Sequence, residues 1–337
     1  MAELCSHAHI YYGEGDGCIM KIVITDSLTL GDDIDLGKFD KLGDIEIYKS
    51  STVEEAAIRL ADADIAIVNK VQMNETSLKN APKLKMIALT ATGYNNVDFI
   101  YTNKRNITVA NVAGYSTNSV VQHTFALLFY ILEKLSYYDN YVKSGDYAKS
   151  PIFTNFDKIF VELHDKTWGI IGLGEIGRNV ANVAKAFGCR VVYYSTSGKN
   201  NNSEFERVSF AELLAQSDVI SIHAPLNSAT ENLMNYEAFT KMKRSAILLN
   251  LGRGPIVNEP DLAKALNEDL IDGAGLDVIC KEPIEASNPL LTIKDSCKLI
   301  ITPHIAWATY EARTRLMDEV YENITAFLRG EKRNVIK

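Results

Sequence analysis

Three polar side chains in the C-terminal half of the chain are of types suited to proton transfer beside a bound carboxylate. Arg253 carries a planar, permanently charged guanidinium that can bind a carboxylate through two parallel hydrogen bonds. His304 carries an imidazole, which can donate or accept a proton. Glu282 can bind the second imidazole nitrogen, which fixes the ring tautomer and favours the protonated form. All three follow apolar runs typical of strands, so we expect them at one edge of a parallel sheet.

A glycine-rich turn lies upstream of these residues. Gly172, Gly174 and Gly177 form a G-x-G-x-x-G pattern that follows the predicted strand Lys166–Ile171 and opens a predicted helix. The first glycine permits a tight turn, the second lets the backbone approach a pyrophosphate, and the third lets the helix pack on the strand. The helix N-terminus then offers unpaired N–H groups to phosphates. With a second strand predicted at Arg190–Tyr194, this context predicts a dinucleotide-binding site.

The position that commonly distinguishes NAD from NADP holds no acid in this chain. An Asp or Glu after the second strand of such a fold holds the ribose 2′-hydroxyl and repels a 2′-phosphate. Here Ser195 follows Val191–Tyr194, Thr196 and Ser197 add hydroxyls, and Lys199 adds one cation. The sequence therefore leaves both NAD and NADP open as the cofactor.

Short strands alternate with helices in two successive sets, which predicts parallel α/β packing. In the first half, apolar or β-branched runs predict strands near 21–25, 45–48, 65–68, 85–90 and 107–110. Amphipathic stretches lie between them, for example Val53–Ala63 and Val97–Asn106. In the second half, strands are expected near 167–171, 190–194, 218–222, 246–250, 274–277 and 298–302. Helices are expected there near 175–187, 209–215, 235–241 and 259–267.

The stretch 114–165 joins the two sets. An apolar helix is predicted at Ser119–Leu135, and an irregular, aromatic-rich segment is predicted after it. Aromatic residues are enriched at the cores of protein interfaces. The segment is therefore interpreted either as ordinary packing or as an arm that contacts a second subunit.

Length, charge and cysteine content narrow the class of protein. The chain of 337 residues predicts about two domains. A net charge of −8 argues against binding to nucleic-acid backbones or anionic membrane surfaces. The five cysteines are scattered without a C-x-x-C pair, so we expect neither a bound metal nor a disulfide framework. With no signal peptide and no stretch long enough to span a bilayer, the sequence favours a cytoplasmic location.

Residues 1–19 differ from the rest of the chain. They contain Cys5, His7, His9 and Cys18, but no spacing typical of metal ligands repeats. We therefore interpret them as a loose N-terminal extension ahead of the first predicted strand, with a small metal-binding tail as the alternative.

The glycine turn, followed in order by Arg253, Glu282 and His304, resembles the D-isomer-specific 2-hydroxyacid dehydrogenase family. The resemblance runs from about Met20 to the end of the chain. It implies an α/β fold in which a Rossmann-type doubly wound parallel-sheet domain, about 115–304, is inserted into a smaller flavodoxin-like α/β substrate domain, 20–114 with 305–337. The final helix, about 309–329, is then expected to return to the first domain, and the catalytic cleft to lie between the domains.

The resemblance also implies roles for individual residues. Arg253, Glu282 and His304 would be catalytic, reducing a 2-oxo acid to a 2-hydroxy acid with a nicotinamide cofactor. The substrate would be bound by Arg253 and His304 together with residues of the first domain, Asn69, Thr92 and Gly93. The residues expected at the cofactor are Gly172, Gly174, Glu175, Ile176, Gly177, Ser195, His223, Ala224, Pro225, Thr230, Leu251, Gly252, Arg253, Asp277 and His304.

Within the family, several segments resemble the branch that interconverts hydroxypyruvate and D-glycerate. They are Lys21–Asp26, Val68–Lys70, Ala91–Asp98 and Tyr115–Val120. D-lactate or broad 2-oxo acid reduction is the alternative, and a corepressor-like scaffold that senses NAD(H) is an alternative of another class. The family implies a homodimer, here through residues 115–165, and slightly favours NAD.

Overall fold

The structure is a computed structural model that describes residues 19–336. The predicted N-terminal extension therefore lies, except for Ile19, outside the described residues. The described chain divides into two compact units. The first unit holds the residues up to Tyr115 and those from Tyr310 onward, and the second unit is Ser116–Thr309.

Thirteen strands are present in the described residues. In chain order they are β1 Lys21–Ile24, β2 Asp44–Ile47, β3 Ile65–Val68, β4 Met86–Leu89, β5 Thr108–Ala110, β6 Thr167–Ile171, β7 Arg190–Tyr194, β8 Glu206–Arg207, β9 Val219–Ile222, β10 Ile247–Asn250, β11 Gly273–Leu276, β12 Leu299–Ile301 and β13 Val335–Ile336.

Ten α-helices accompany these strands in residues 19–336. They are α1 Val53–Arg59, α2 Glu75–Leu78, α3 Phe99–Lys104, α4 Thr117–Leu132, α5 Leu135–Lys143, α6 Glu175–Ala186, α7 Phe210–Gln216, α8 Tyr236–Thr240, α9 Glu259–Asn267 and α10 Tyr310–Leu328.

Capping side chains mark the first turn of several of these helices. Thr52 with Glu55 and Ser209 with Glu212 form capping boxes ahead of α1 and α7, which satisfy backbone N–H groups that lack a partner in the first turn.

The first unit is built on a six-stranded sheet with the order β13-β5-β4-β3-β1-β2. All neighbours are parallel except β13, which pairs antiparallel with β5. The order of the five parallel strands, 2-1-3-4-5, is that of flavodoxin-like folds. The C-terminal helix α10 and strand β13 both belong to this unit.

The second unit is built on a seven-stranded sheet, entirely parallel, with the order β12-β11-β10-β9-β6-β7-β8. The chain enters at β6, builds outward to β8, and then crosses over to β9 on the other side of β6. This reversal of direction makes the junction of β6 and β9 the topological switch point of a Rossmann-type sheet. The predicted doubly wound α/β fold is confirmed.

Helices cover both faces of the second sheet because side chains alternate along each strand. Trp168 and Ile170 of β6 lie in one core cluster with residues of α4 and α6. Ile171 lies in the other cluster, with residues of α7, α8 and α9. The inner strands β6, β9, β10 and β11 are buried on both sides, which explains their continuous apolar sequences.

The structure differs from the sequence-based predictions in several places, including Tyr115, which was assigned to the inserted domain and lies in the first unit. The apolar helix α4 ends at Leu132, and the segment predicted as irregular after it contains a further helix, α5, so that prediction was wrong for residues 136–143. Strands β8 and β13 have only two residues each and were not predicted. Residues 305–309, which the sequence assigned to the first domain, lie in the second unit, where Ile305 donates a backbone hydrogen bond to Asp277.

The described residues contain neither a helix suited to a bilayer nor a cluster of metal-binding side chains. Among the helices between residues 19 and 336, none combines the length and apolar character needed to cross a bilayer. Within the same range, no three His, Cys, Asp or Glu side chains gather as a metal site would require.

Candidate active site

The loops that carry the three predicted catalytic residues leave the same edge of the second sheet. Strands β10, β11 and β12 are neighbours and run parallel. Arg253 follows the end of β10, Glu282 follows β11, and His304 follows β12. The C-terminal ends of adjacent parallel strands meet at one edge, and in open α/β sheets this edge is where ligands bind.

Glu282 and His304 are in direct contact. Nδ1 of His304 lies 2.7 Å from Oε2 of Glu282. The other carboxylate oxygen of Glu282 accepts a hydrogen bond from the backbone N–H of Ile279 at 3.3 Å, which orients the carboxylate within its own loop. A carboxylate on Nδ1 places the proton of the neutral ring there and leaves Nε2 as the nitrogen that can exchange a proton with a substrate.

The loop with Arg253 is held by Asn250, the buried last residue of β10. The Asn250 amide donates to the carbonyl of Arg253 at 3.0 Å and accepts from the N–H of Gly252 at 3.1 Å. Arg253 itself is exposed, and its Nη1 donates to the carbonyl of Gly252 at 2.8 Å. Four further guanidinium N–H groups are then available to a ligand. Asn250 was not predicted as a site residue, although a buried polar residue at a strand end was a signal for it.

The loop with Arg253 also packs against the loop with Glu282. A methyl group built on Gly254 would lie 2.0 Å from the backbone carbonyl oxygen of Ile279, so only glycine allows this approach. Glu259 at the start of α9 ties down the same segment, because it accepts from the N–H of Cys280 at 2.5 Å and from the Asn288 amide at 2.7 Å. Tight backbone packing thus fixes the Arg253 loop against the Glu282 loop.

Asp277 anchors the loop after β12. Its carboxylate accepts the backbone N–H groups of Ile305 and Ala306, each at 2.9 Å, and the Thr302 hydroxyl at 2.6 Å. His123 of α4 lies 3.4 Å from the carboxylate and 2.9 Å from the Thr302 hydroxyl. Burial opposes ionisation of Asp277, but these hydrogen bonds outweigh it and hold the pKa of the carboxyl below its usual value.

The backbone of His304 adopts a conformation that few residues other than glycine take. Its φ is +55°, in the left-handed region, where a residue with a Cβ costs on the order of 1–3 kcal/mol. Its N–H donates to the carbonyls of Asp277 and Thr302, each at 2.9 Å. The hydrogen bonds around Asp277 therefore hold His304 in this strained position and aim its ring at Glu282.

The glycine turn has the shape that a dinucleotide requires. Gly172 has φ +91°, and a methyl group on it would lie 2.9 Å from the backbone of Ala224. A methyl group on Gly177 would lie 2.3 Å from the carbonyl oxygen of Gly172, whereas one on Gly174 would meet nothing within 4 Å. Gly174 caps α6, so the open space above it adjoins the N–H groups of the first helical turn. These residues fit a bound pyrophosphate.

His223, which follows β9 beside the glycine turn, gives a second indication of a ligand. Both of its ring nitrogens are buried, and neither has a hydrogen-bond partner among the described residues. Burial lowers the pKa of this imidazole to about 3, so the ring is neutral at pH 7 and cannot act as a proton donor in the way expected of His304. Unsatisfied buried nitrogens at a switch point fit a polar ligand that binds there.

The other residues predicted at the cofactor lie around the same edge. Thr230 is buried and uses its hydroxyl within its own turn, donating to the Pro225 carbonyl at 2.7 Å. Glu175 accepts from the Thr117 hydroxyl at 3.0 Å. Ser195 is buried directly after β7. Ile176 lies in the first turn of α6, and Leu251 and Gly252 are buried after β10.

The predicted substrate residues of the first unit follow adjacent strands of its sheet. Asn69 comes directly after β3, and its amide donates to the carbonyl of Thr90 at 3.2 Å. Thr92 and Gly93 lie beyond the end of β4, with the Thr92 hydroxyl donating to the carbonyl of Val112 at 2.8 Å. Asp26, which was not predicted, accepts the N–H groups of Asn69 and Lys70 at 2.9 and 2.6 Å and so shapes this edge.

A Rossmann-type sheet with a glycine turn, and a paired His and Glu beside an Arg loop, define a nicotinamide-dependent oxidoreductase. Residues 125–306 match the family model described as D-isomer specific 2-hydroxyacid dehydrogenase, NAD binding domain. The chain belongs to this family, and it is an oxidoreductase that acts on CH–OH groups and binds a nicotinamide dinucleotide.

Individual relatives extend the likeness to nearly the whole chain. A hydroxypyruvate reductase of Blautia hydrogenotrophica is 40% identical over 94% of this chain and 99% of its own. A glycerate dehydrogenase of Methylorubrum extorquens is 38% identical over 94% of this chain and 99% of its own. Among solved structures, an acyclic imino acid reductase in complex with NADPH and D-Arg has a TM-score of 0.84 at 32% identity, covering 94% of this chain and 100% of its own. A D-lactate dehydrogenase of Aquifex aeolicus with NAD and lactic acid has a TM-score of 0.80 at 27% identity, covering 92% and 96%.

Two glycine substitutions in the turn should have separable effects. Gly177→Ala places a methyl against the Gly172 carbonyl, so we expect unfolding to become easier by about 1–3 kcal/mol. Gly174→Ala meets no protein atom, so stability should change by less than about 0.5 kcal/mol while dinucleotide affinity falls, because the methyl occupies ligand space. Chemical denaturation and dinucleotide titration measure the two effects. Unchanged affinity in Gly174→Ala would argue against the pyrophosphate position.

Replacing Asp277 should reveal its anchoring role through pH. Asp277→Asn turns one acceptor oxygen into an NH₂ group that faces N–H donors, so we expect a loss of about 1–3 kcal/mol at pH 7. The folded-state pKa of Asp277 is lowered, so its contribution is present above the unfolded-state pKa near 4 and is lost as the pH falls further. Denaturation curves of both proteins between pH 7 and 3 should therefore converge on acidification. The exposed Asp44→Asn is the matched control, and a gap that is constant with pH would contradict the anchoring role.

Proposed function

We propose that the chain reduces hydroxypyruvate to D-glycerate and catalyses the reverse oxidation. The observation that carries this proposal is the 2.7 Å contact between His304 and Glu282, at the sheet edge that also presents the Arg253 loop. The relatives named hydroxypyruvate reductase and glycerate dehydrogenase support the substrate, since each covers 94% of this chain. The contact favours an enzyme over a cofactor-sensing scaffold, because a scaffold has no need of a paired acid and base.

The proposed roles of Arg253, His304 and Glu282 follow from the chemistry of their side chains. Arg253 binds the substrate carboxylate and polarises the neighbouring ketone with its remaining N–H groups. His304 gives the proton on Nε2 to the oxygen that becomes the hydroxyl, and takes it back in the oxidation. Glu282 orients the ring and stabilises its positive charge. The bound nicotinamide supplies or accepts the hydride.

Three residues of the first unit are further candidates for binding a substrate carboxylate. Asn69 and the backbone N–H groups of Thr92 and Gly93 bind the carboxylate of the 2-oxo acid. The position of these residues, directly after the neighbouring strands β3 and β4, supports the assignment, because this edge is the usual ligand-binding edge of a parallel sheet. Asp26 supports them by holding the backbone of Asn69.

Substrate preference and the catalytic histidine can be tested together. We expect hydroxypyruvate to give the highest kcat/KM in a series with glyoxylate and pyruvate, with NADH and NADPH each as reductant. His304→Gln should lower kcat for every substrate by about 10²- to 10⁴-fold, because the proton donor is removed. His164→Gln, at an exposed histidine beside Asp165, is the matched control and should keep full activity. A His304→Gln enzyme with full activity would contradict the role of His304, and a preference for pyruvate would favour the D-lactate alternative.

We also propose that two copies of the chain associate through residues 115–165. This region exposes large apolar side chains that a monomer would leave in water: Phe153 is 89% exposed, Phe156 80% and Ile159 85%. The tyrosines Tyr137 and Tyr138 of α5 pack edge to face beside this stretch. Contiguous exposed aromatic and aliphatic surface is typical of protein interfaces.

We propose in addition that the chain is located in the cytoplasm. The free thiols of Cys189, Cys280 and Cys297 support this location, because the cytoplasm is a reducing environment.

The proposed interface predicts a change of mass on substitution. Replacing Phe153, Phe156 and Ile159 together by Ser should convert a dimer to a monomer, because the apolar area that drives association is lost. Light scattering after size-exclusion chromatography measures the mass. Ile100→Ser, at an equally exposed isoleucine of α3 in the other unit, should leave the dimer intact. A monomeric wild-type chain at micromolar concentration, or a triple variant that remains dimeric, would refute the interface.

A further inference from the structure

The loop after β7 carries hydroxyl groups where many dinucleotide-binding folds carry an acid. Ser195 is buried, and its side-chain oxygen accepts the N–H of Asn200 at 3.3 Å. Its carbonyl accepts the N–H of Gly198 at 3.1 Å, and Gly198 has φ +69°, a conformation that favours glycine. The loop is therefore a closed turn built on Ser195, with Thr196, Ser197 and Lys199 on it.

This loop is tied to the glycine turn. The Asn200 amide donates a hydrogen bond to the carbonyl of Leu173, between the first two glycines. The Tyr193 hydroxyl donates to the carbonyl of Asn200 at 3.2 Å and accepts the N–H of Asn202 at 2.9 Å. Residues 195–200 consequently lie beside the glycine turn. In Rossmann-type folds the adenosine ribose of a dinucleotide is bound at this place.

The edge strand β8 brings an arginine to the same loop. Arg207 pairs in register with Tyr193, one residue before the end of β7. A methyl group built on Gly198 would lie 3.8 Å from Nη2 of Arg207, so the guanidinium lies next to the loop. Nη1 donates to the Asn201 side-chain oxygen at 3.0 Å, which orients the group while leaving its other N–H donors for a ligand.

The charges around the loop favour an anion. Lys199 and Arg207 are both exposed. Glu206 precedes Arg207 on β8, but its carboxylate is bound by Arg190 at 2.6 Å, near the start of β7 and away from the loop. The remaining acid of the segment is Glu204, which is exposed three residues before Arg207. With Glu206 offset by Arg190, the two cations outweigh the single remaining carboxylate.

We propose that Arg207 and Lys199, with the hydroxyls of Thr196 and Ser197, bind the 2′-phosphate of the adenosine ribose, so that the chain prefers NADP(H) to NAD(H). Arginine binds phosphate oxygens through its planar fork, and hydroxyl donors complete the set. The absence of an acid at Ser195 removes the repulsion that would otherwise exclude this phosphate. The inference rests on the proposed dinucleotide-dependent function and specifies which dinucleotide the site takes.

Binding without substrate tests the inference directly. NADPH and NADH are titrated against the full chain by calorimetry, together with adenosine 2′,5′-bisphosphate and 5′-AMP as fragments. We expect the 2′-phosphorylated ligand of each pair to bind more tightly and to lose more affinity when salt is raised. Arg207→Ala should weaken binding of the 2′-phosphorylated ligands by about 10- to 100-fold and leave NADH and 5′-AMP unchanged.

A matched control separates the effect of the Arg207 contact from the effect of losing one positive charge anywhere on the protein. Lys185→Ala removes one exposed positive charge at the far end of α6 and should change none of the four affinities. Equal or tighter binding of NADH, or equal weakening of all ligands by Arg207→Ala, would overturn the inference while leaving the dehydrogenase function intact. If neither dinucleotide binds, the proposed function fails and this inference fails with it.

Discussion

The arrangement of His304, the candidate proton donor, depends on the buried carboxylate of Asp277. It gathers two backbone N–H groups, the Thr302 hydroxyl and His123 around one charge. These hydrogen bonds fix the backbone of the loop after β12, in which His304 adopts the left-handed conformation. Without a buried acceptor at the end of β11, the backbone N–H groups of Ile305 and Ala306 would lose the carboxylate that accepts them, and the support that offsets the strain at His304 would be weaker.

The parallel sheet explains why residues distant in sequence act together. Strands β10, β11 and β12 end at one edge, so loops that begin 26 residues apart in the chain, at Leu251 and Asp277, become neighbours. Gly254 then allows two of these loops to touch backbone to backbone. The switch point between β6 and β9 does the same for the cofactor, since it brings the glycine turn against His223 and Ala224. The candidate catalytic residues and the glycine turn thus lie at one edge of one sheet.

The sequence predicted the elements that carry strong patterns and missed those that do not. The predicted strands at 167–171 and 190–194 coincide with β6 and β7, because buried parallel strands read as continuous apolar runs. Strand β8, with the sequence Glu-Arg, has no apolar pattern, and it exists only because β7 offers an edge to pair with. Asn250 and Glu259 were also missed, since their roles depend on which backbone groups lie beside them.

The sequence by itself determined the class of fold, and it identified the glycine turn, Arg253, Glu282 and His304 as candidate site residues, because residue type and order along the chain are local properties. Tertiary structure decided how those residues are held: the carboxylate of Glu282 on Nδ1 of His304, Asp277 as the anchor of the histidine loop, and Arg207 beside the loop after β7. Each of these contacts joins residues 9 to 29 positions apart, as Gly198 and Arg207 or Asp277 and Ala306 show. Sheet pairing and loop packing create such contacts, and no pattern along the chain records them.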